Sequence, residues 1–316
     1  MSAIFHQLAP GVSVIERGWL NCNQIVLRAP TWNVLIDSGY GRGRHAAETV
    51  QHVDAALEGG RVHWLLNTHC HSDHMGGNRT LREHYQCRVT IPEGEAKHVV
   101  PWTEQSCWAE QMDQYAEEFV FDDTLVAGDT FEAGGMLWRA YAAPGHDMDA
   151  LMFFARDAGI LITGDALWEH GLGFVWPEAN ARSESGNSYV DSALECLRVI
   201  EKLKPAIVVP GHGAPFNDVT NAIVEARQRL AALAKDPVKN ARHVTKALFV
   251  FALLDRGEMR VADMPRYLES VPIYREMCEQ YLHCDRAVLA ERMVSELVAV
   301  KALVIDAGVI RPTMRA

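Results

Sequence analysis

The sequence predicts an α/β fold of two sheets with helices between and outside them, followed by a helical carboxy-terminal unit. Three observations carry that reading. Up to about residue 215 the chain alternates strand-sized β-rich runs with turn residues. One apolar run, residues 62–67, reads as a strand buried on both faces and ends directly in a cluster of histidines. From about residue 219 the texture changes to the periodicity of amphipathic helices.

The first runs, residues 12–16, 24–27 and 33–36, are punctuated by Ala9-Pro10-Gly11, Ala29-Pro30 and Asp37-Ser38-Gly39, the pattern of a meander of half-buried strands. A helix is expected over 45–58, with Val50, Val53 and Leu57 on one face. After the buried strand at 62–67, a second strand series is expected at 136–141, 151–155 and 160–163. Residues 207–209 make a last buried strand before Pro210-Gly211. Between these, Ser188 is placed to cap a helix that runs to about residue 203. Further helices are expected over 222–233, 244–254, 274–282 and 286–300, and residues 302–310 read as strand, turn, strand. A helix leading into a β-hairpin at a chain end resembles a winged-helix module. We therefore expect two domains, 1–217 and 218–316, with no internal repeat and no low-complexity segment.

The 316 residues are 48% hydrophobic, enough for one large domain or two unequal ones. With 41 acidic and 30 basic side chains the net charge is −11, which argues against a general polyanion binder. The balance differs along the chain, at −14 for residues 1–219 and +3 for 220–316. Apolar stretches are strand-sized, and residues 1–20 contain no basic region followed by an apolar run, so neither a membrane span nor a secretory signal is expected. The seven cysteines, scattered from Cys22 to Cys284 without a C-x-x-C pair, do not form a disulfide framework or a zinc ribbon. A reducing cytoplasm fits them.

The 14 histidines are the unusual part of the composition. His69-Cys70-His71-Ser72-Asp73-His74 places four metal-competent side chains within a short segment. In extended backbone His69 and His71 share one side, because side chains alternate with period two. If a helix begins at Ser72, Asp73 and His74 swing onto its first turn and face the same space, and Met75-Gly76-Gly77 then allows close backbone approach. Cys70 should point the other way and pack as a small apolar residue. A cluster of surface histidines is the alternative, and the density of the motif speaks against it.

These residues resemble the metallo-β-lactamase superfamily, and the resemblance covers about residues 10–215. Pro144-Gly145-His146, Thr163-Gly164-Asp165 and Pro210-Gly211-His212-Gly213 match, in order, the three later ligand motifs of that family. Leu35-Ile36-Asp37-Ser38-Gly39 looks like its opening strand and turn. The resemblance implies a four-layer αββα sandwich and two metal ions, one held by His69, His71 and His146, the other by Asp73, His74 and His212. Asp165 would bridge them. Zinc suits such nitrogen and oxygen donors, and iron or manganese would be tolerated. Two such metals about 3.5 to 4 Å apart hold a bridging hydroxide that attacks a carbonyl or phosphoryl group. Asp73 and Asp165 are the expected catalytic residues, Asp73 as the group that orients the hydroxide or carries its proton. Asp37 is expected to hydrogen-bond the turn or a ligating histidine rather than to touch metal.

The segment 166–177, rich in glycine and aromatic residues, follows Asp165 and must lie near the cleft. Trp168, Trp176 and His170 are its candidate substrate contacts, beside Arg42 on the glycine-rich turn at 39–44. Structural pinning of the loop and a solvated turn are the plainer readings of the same residues. An acid at the bridging position moves the resemblance towards glyoxalase II, lactonases and the nucleases of the superfamily. The Gly164-Asp165-Ala166-Leu167-Trp168 stretch is similar in spacing to glyoxalase II, but that enzyme's glutathione-binding basic residues cannot be placed here. A lactonase would be expected to carry Tyr where this chain has Trp168. The sequence therefore points to a hydrolase of small thioesters or esters. A phosphodiesterase or endoribonuclease, a lactonase and a non-catalytic metal-binding protein are the alternatives.

Overall fold

The computed structural model describes residues 3–103, 106–177 and 188–314. Seven strands form the first sheet in sequence order: β1 (Ile4–Ala9), β2 (Val12–Glu16), β3 (Gln24–Leu27), β4 (Val34–Ile36), β5 (Trp64–Leu66), β6 (Arg88–Pro92) and β7 (Asp123–Leu125). Pairing is antiparallel from β1 to β4 and parallel from β4 to β7. Parallel neighbours need crossovers, which helices supply. α1 (Arg44–Leu57) joins β4 to β5, and α2 (Ser72–Met75) and α3 (Asn78–Tyr85) join β5 to β6. α4 (Ala96–Val99) and α5 (Ala109–Met112) lie between β6 and β7.

The second sheet contains β8 (Thr130–Ala133), β9 (Met136–Ala142), β10 (Leu151–Ala155), β11 (Ile160–Gly164) and β12 (Ile207–Pro210), in the order β12-β11-β10-β9-β8. Only β11 and β12 run parallel, and α6 (Tyr189–Leu203) lies in the crossover between them. Its cap forms as expected, with the Ser188 side chain accepting from the Asp191 amide. Ile25, Leu27 and Ile36 of the first sheet meet Trp138, Phe153 and Ile162 of the second in a dry core between them. The outer face of the first sheet packs on Val53 and Leu57 of α1 and Leu81 of α3. On the outer face of the second, Leu197 and Ile200 of α6 meet Ile223 and Leu230 of α7 (Val219–Lys235). The layers therefore run helix, sheet, sheet, helix.

Past α7 the chain builds a separate core from α8 (Pro237–Arg256), α9 (Met264–Ser270), α10 (Pro272–Met277) and α11 (Arg286–Ala299). Three short strands close it, β13 (Met259–Arg260), β14 (Leu303–Asp306) and β15 (Val309–Pro312), in the order β13-β15-β14. Leu20, Tyr40 and Met112 reach into this core from the sandwich, so the two units share apolar surface. The helix expected at 274–282 is α10 followed by a wider π-turn at Cys278–Leu282. Of the strand expected at 62–67, residues 64–66 form the ladder; the Asn67 amide still donates to the Thr90 carbonyl of β6 while its side chain donates to the His74 carbonyl, 3.0 Å away, where the site loop begins.

Candidate metal centre

Every side chain in the motifs above stands just beyond the carboxyl end of a strand. His69 and His71 follow β5, His146 follows β9, Asp165 follows β11 and His212 follows β12. His71 is the extended residue before α2, whose single turn carries Asp73 and His74 inward. Close packing of backbone makes this possible. A Cβ at Gly77 would sit 2.5 Å from the Ser38 carbonyl oxygen, and one at Gly211 would sit 2.2 Å from Asp165 Oδ1. Neither position can carry a larger residue without moving the site.

Two sets of donors result. His69, His71 and His146 offer one nitrogen each, and Asp73, His74, Asp165 and His212 form the second group, the donor atoms within each lying no more than 4.8 Å apart. Asp165 faces both groups: its Oδ2 is 3.5 Å from His146 Nε2 and 3.8 Å from His212 Nε2, while Oδ1 is 3.4 Å from His74 Nε2. Asp73 Oδ2 lies 3.0 Å from His212 Nε2 and 3.7 Å from His74 Nε2. The outward nitrogens of His146 and His74 are fixed from behind. His146 Nδ1 donates to the Phe174 carbonyl at 2.7 Å, and His74 Nδ1 donates to Asp37 Oδ2 at 2.9 Å. Asp37 in turn accepts from the Thr68 amide and hydroxyl, both at 2.8 Å, as a positioning carboxylate should.

The donor set fits a metal ion. His69 Nε2 and His74 Nε2 are buried and have no hydrogen-bond partner, a costly state for a polar atom unless a cation completes it. Charge points the same way. Burial works against ionisation of Asp165, yet the imidazoles of His212, His74 and His146 outweigh it and hold the carboxyl well below its usual range. Asp73 moves in the same direction, burial again being outweighed by His74 and His212. Burial, then His74 and His71, pushes His69 well down, and burial, then His146, pushes His71 down to about 4. These two are neutral nitrogen donors. His74 moves up, because Cys22 and the carboxylates of Asp73, Asp165 and Asp37 outweigh its burial. That upward pull is the demand of a buried anionic cluster for positive charge, which a proton or a metal can meet.

A cavity of about 400 Å³ opens from these residues. Trp168 lines it, with Nε1 donating to Asp165 Oδ1 at 3.1 Å. Trp19, which sequence reasoning passed over, stacks on His212 with ring centroids 5.5 Å apart and meets Trp168 edge-on. Its only sequence signal is a tryptophan beside the polar Asn21 and Asn23, the latter hydrogen-bonded to the Pro210 and Gly213 carbonyls next to His212. The other three candidate substrate contacts lie off the cavity lining. His170 is exposed, with Glu225 3.3 Å away. Trp176 packs against the carboxy-terminal core. Arg42 pairs with Asp255 of α8 and covers the Tyr115 ring. Cys70 is buried in the outer core, where its amide donates to Glu95, and its thiol is pushed well up by burial.

The model of the metallo-beta-lactamase superfamily matches residues 17–212, and the chain belongs to that superfamily. Among curated relatives, hydroxyacylglutathione hydrolase of Nitrobacter winogradskyi is 25% identical over 232 residues, covering 68% of this chain and 78% of its own. Atrochrysone carboxyl ACP thioesterase of Aspergillus fumigatus is 25% identical over 255 residues, covering 76% and 70%. In fold, the chain is similar to a metallo-beta-lactamase family protein of Thermus thermophilus, with a TM-score of 0.55, 21% identity and coverage of 97% of this chain and 100% of the other. A beta-lactamase domain protein of Burkholderia ambifaria gives a TM-score of 0.55 at 22% identity, covering 98% and 94%. The chain is thus a hydrolase of this superfamily, with His and Asp clusters able to hold metal. No helix among the described residues is long and apolar enough to cross a membrane.

Proposed function

We propose that this chain is a dinuclear metal-dependent hydrolase of small thioesters or esters. The observation that carries the reading is the position of Asp165, whose carboxylate faces His146 of one donor group and both His74 and His212 of the other. His69, His71 and His146 would hold one ion, Asp73, His74 and His212 the second, with Asp165 shared. The nitrogen and oxygen donors favour zinc, with iron or manganese as alternatives. When bound, a divalent pair of this kind acidifies water and polarises a carbonyl oxygen.

The chain's own residues do the rest. Asp73, buried and paired with His212, is the carboxylate available to orient an attacking water or carry its proton. Trp168 fixes Asp165 through its indole N–H, and with Trp19 walls one side of the site against solvent. The cationic lining residues are engaged elsewhere, Arg229 with His243 and Lys246 with Glu296, so none is placed as an acid for a poor leaving group, which favours a thiolate or activated alkoxide over an amine. Two relatives bear the names of thioester hydrolases, which supports the same bond. A phosphodiester substrate is disfavoured by the −14 of residues 1–219. In the wing-like strands, Arg311 is already paired with Glu258. Free cysteines, six of them buried, support a reducing cytoplasmic setting.

Metal analysis and an activity panel test the reading together. Protein purified from metal-replete culture is expected to hold two transition-metal ions per chain and to cleave acyl thioesters faster than lactones, a chromogenic phosphodiester or single-stranded RNA. One ion or none per chain, or RNA cleavage without thioester turnover, would overturn it.

A further inference from the structure

The cavity that begins at the metal centre does not end there. Its far wall is built by the carboxy-terminal unit, from Ala247, Leu248, Phe251 and Leu254 of α8, Leu297 of α11 and Met314 beyond β15. Ala247, Phe251 and Leu254 recur at helical spacing, so one face of α8 is turned to the cavity. From Ala247 to Leu254 that face is about 10 Å long at the α-helical rise. This mainly apolar wall is continuous with the polar floor of Asp73, Asp165 and His212, and beside it Arg229 bonds His243 while Lys246 bonds Glu296, which leaves the aliphatic face open to a ligand. Aliphatic and aromatic side chains take no part in activating water, yet these enclose space that a short acetyl group would leave unfilled. The cavity's size is that of a specific small-molecule site.

We propose that the substrate's acyl group is a medium-length aliphatic chain that lies along α8 against α11, with its carbonyl at the metal centre, so that the carboxy-terminal unit sets chain-length preference. This rests on the hydrolase reading above and narrows it to fatty acyl esters and thioesters. Each methylene taken out of water contributes up to about fourfold in affinity.

The test uses the full-length, metal-loaded protein and two readouts. The first is kcat/KM for acetyl, butyryl, octanoyl and dodecanoyl thioesters of N-acetylcysteamine. The second is the affinity for butyrate and octanoate, followed by intrinsic tryptophan fluorescence, to which Trp19 and Trp168 contribute. Octanoate is expected to bind at least about tenfold more tightly than butyrate, and the octanoyl thioester to be preferred to the acetyl by a similar ratio. Ala247→Phe, which fills the slot, should shift the optimum to shorter chains. Leu297→Ala, which widens it, should shift it to longer ones. Equal affinity for octanoate and butyrate in the parent protein, or a chain-length profile that neither variant moves, overturns the proposal. Octanoate selectivity that Ala247→Phe abolishes, in a protein that cleaves neither thioesters nor esters, would sink the proposed substrate class and leave the acyl site standing.

Discussion

Asp37 sits behind His74 rather than at the metal position, with its own backbone in the left-handed region at φ 61°. Its carboxylate accepts from the Thr68 amide, the Thr68 hydroxyl and His74 Nδ1, which fixes the imidazole and makes Nε2 a better donor. Asp37→Asn tests that role cleanly, because asparagine tolerates the same backbone. Metal affinity, measured by competition with a chromogenic chelator, is expected to fall by about ten- to a hundredfold. Unchanged affinity would show that His74 is held by packing alone. Asp165→Ala is a harsher change. Two cations left close together without their shared carboxylate repel strongly, so we expect the variant to retain at most one ion and to lose activity by orders of magnitude. Elemental analysis beside a thioester assay decides it, and full occupancy in the variant would remove Asp165 from between the ions.

At the scale of elements, α7 and α8 are joined by Asp236 alone, which ends one helix and caps the next by accepting from the Lys239 amide at 2.9 Å. Asp236→Ala is expected to cost about 1 kcal/mol, read as a lowered denaturant midpoint with unchanged slope. We propose units 1–217 and 218–316, and α7 ties them, since its apolar face lies with α6 on the second sheet while α8 opens the next core. A chain truncated after residue 219 would bare the α6 layer and also Leu20 and Tyr40. It should be insoluble, and a monodisperse, fully active truncation would refute that view. The strands β2, β3 and β10 were legible residue for residue, because each is a short, mostly apolar run with turn or polar residues on both sides. β7 and β8 were not, because Asp123-Thr124-Leu125 and Thr130-Phe131-Glu132-Ala133 hold too few apolar residues to stand out as runs from the acidic stretch around them. The four-residue helices α4 and α5 give no periodicity either, whereas α2 starts at Ser72, where the ligand motif placed a helix start. Within the site, the histidine cluster was visible because it is local in sequence. Trp19 and the α8 wall were not, because what brings them to the cavity is packing between residues far apart in the chain.

Considered whole, the molecule presents its donors from both sheets, His69, His71, Asp73 and His74 from the first and His146, Asp165 and His212 from the second. A chelator should therefore do more than stop turnover. Any ion that binds the folded chain and not the unfolded one raises its stability by mass action, so the melting temperature is expected to drop on metal removal and to recover on adding zinc. A melting temperature indifferent to chelator would mean that the sheets hold the site together without help. Seen as chain connectivity, each ion so bound would be a cross-link. With ions held as proposed, one would close the stretch from His71 to His146, which contains α2 to α5 and strands β6 to β9, and the other the longer stretch from His74 to His212, which runs on through α6. Loops of that length are entropically costly to close, and a cross-link is worth most where the loop is long. The consequence is an order of events. Each sheet can form largely from strands adjacent in sequence, whereas bringing the two donor sets together closes a long loop, so metal captured by one set would recruit the other.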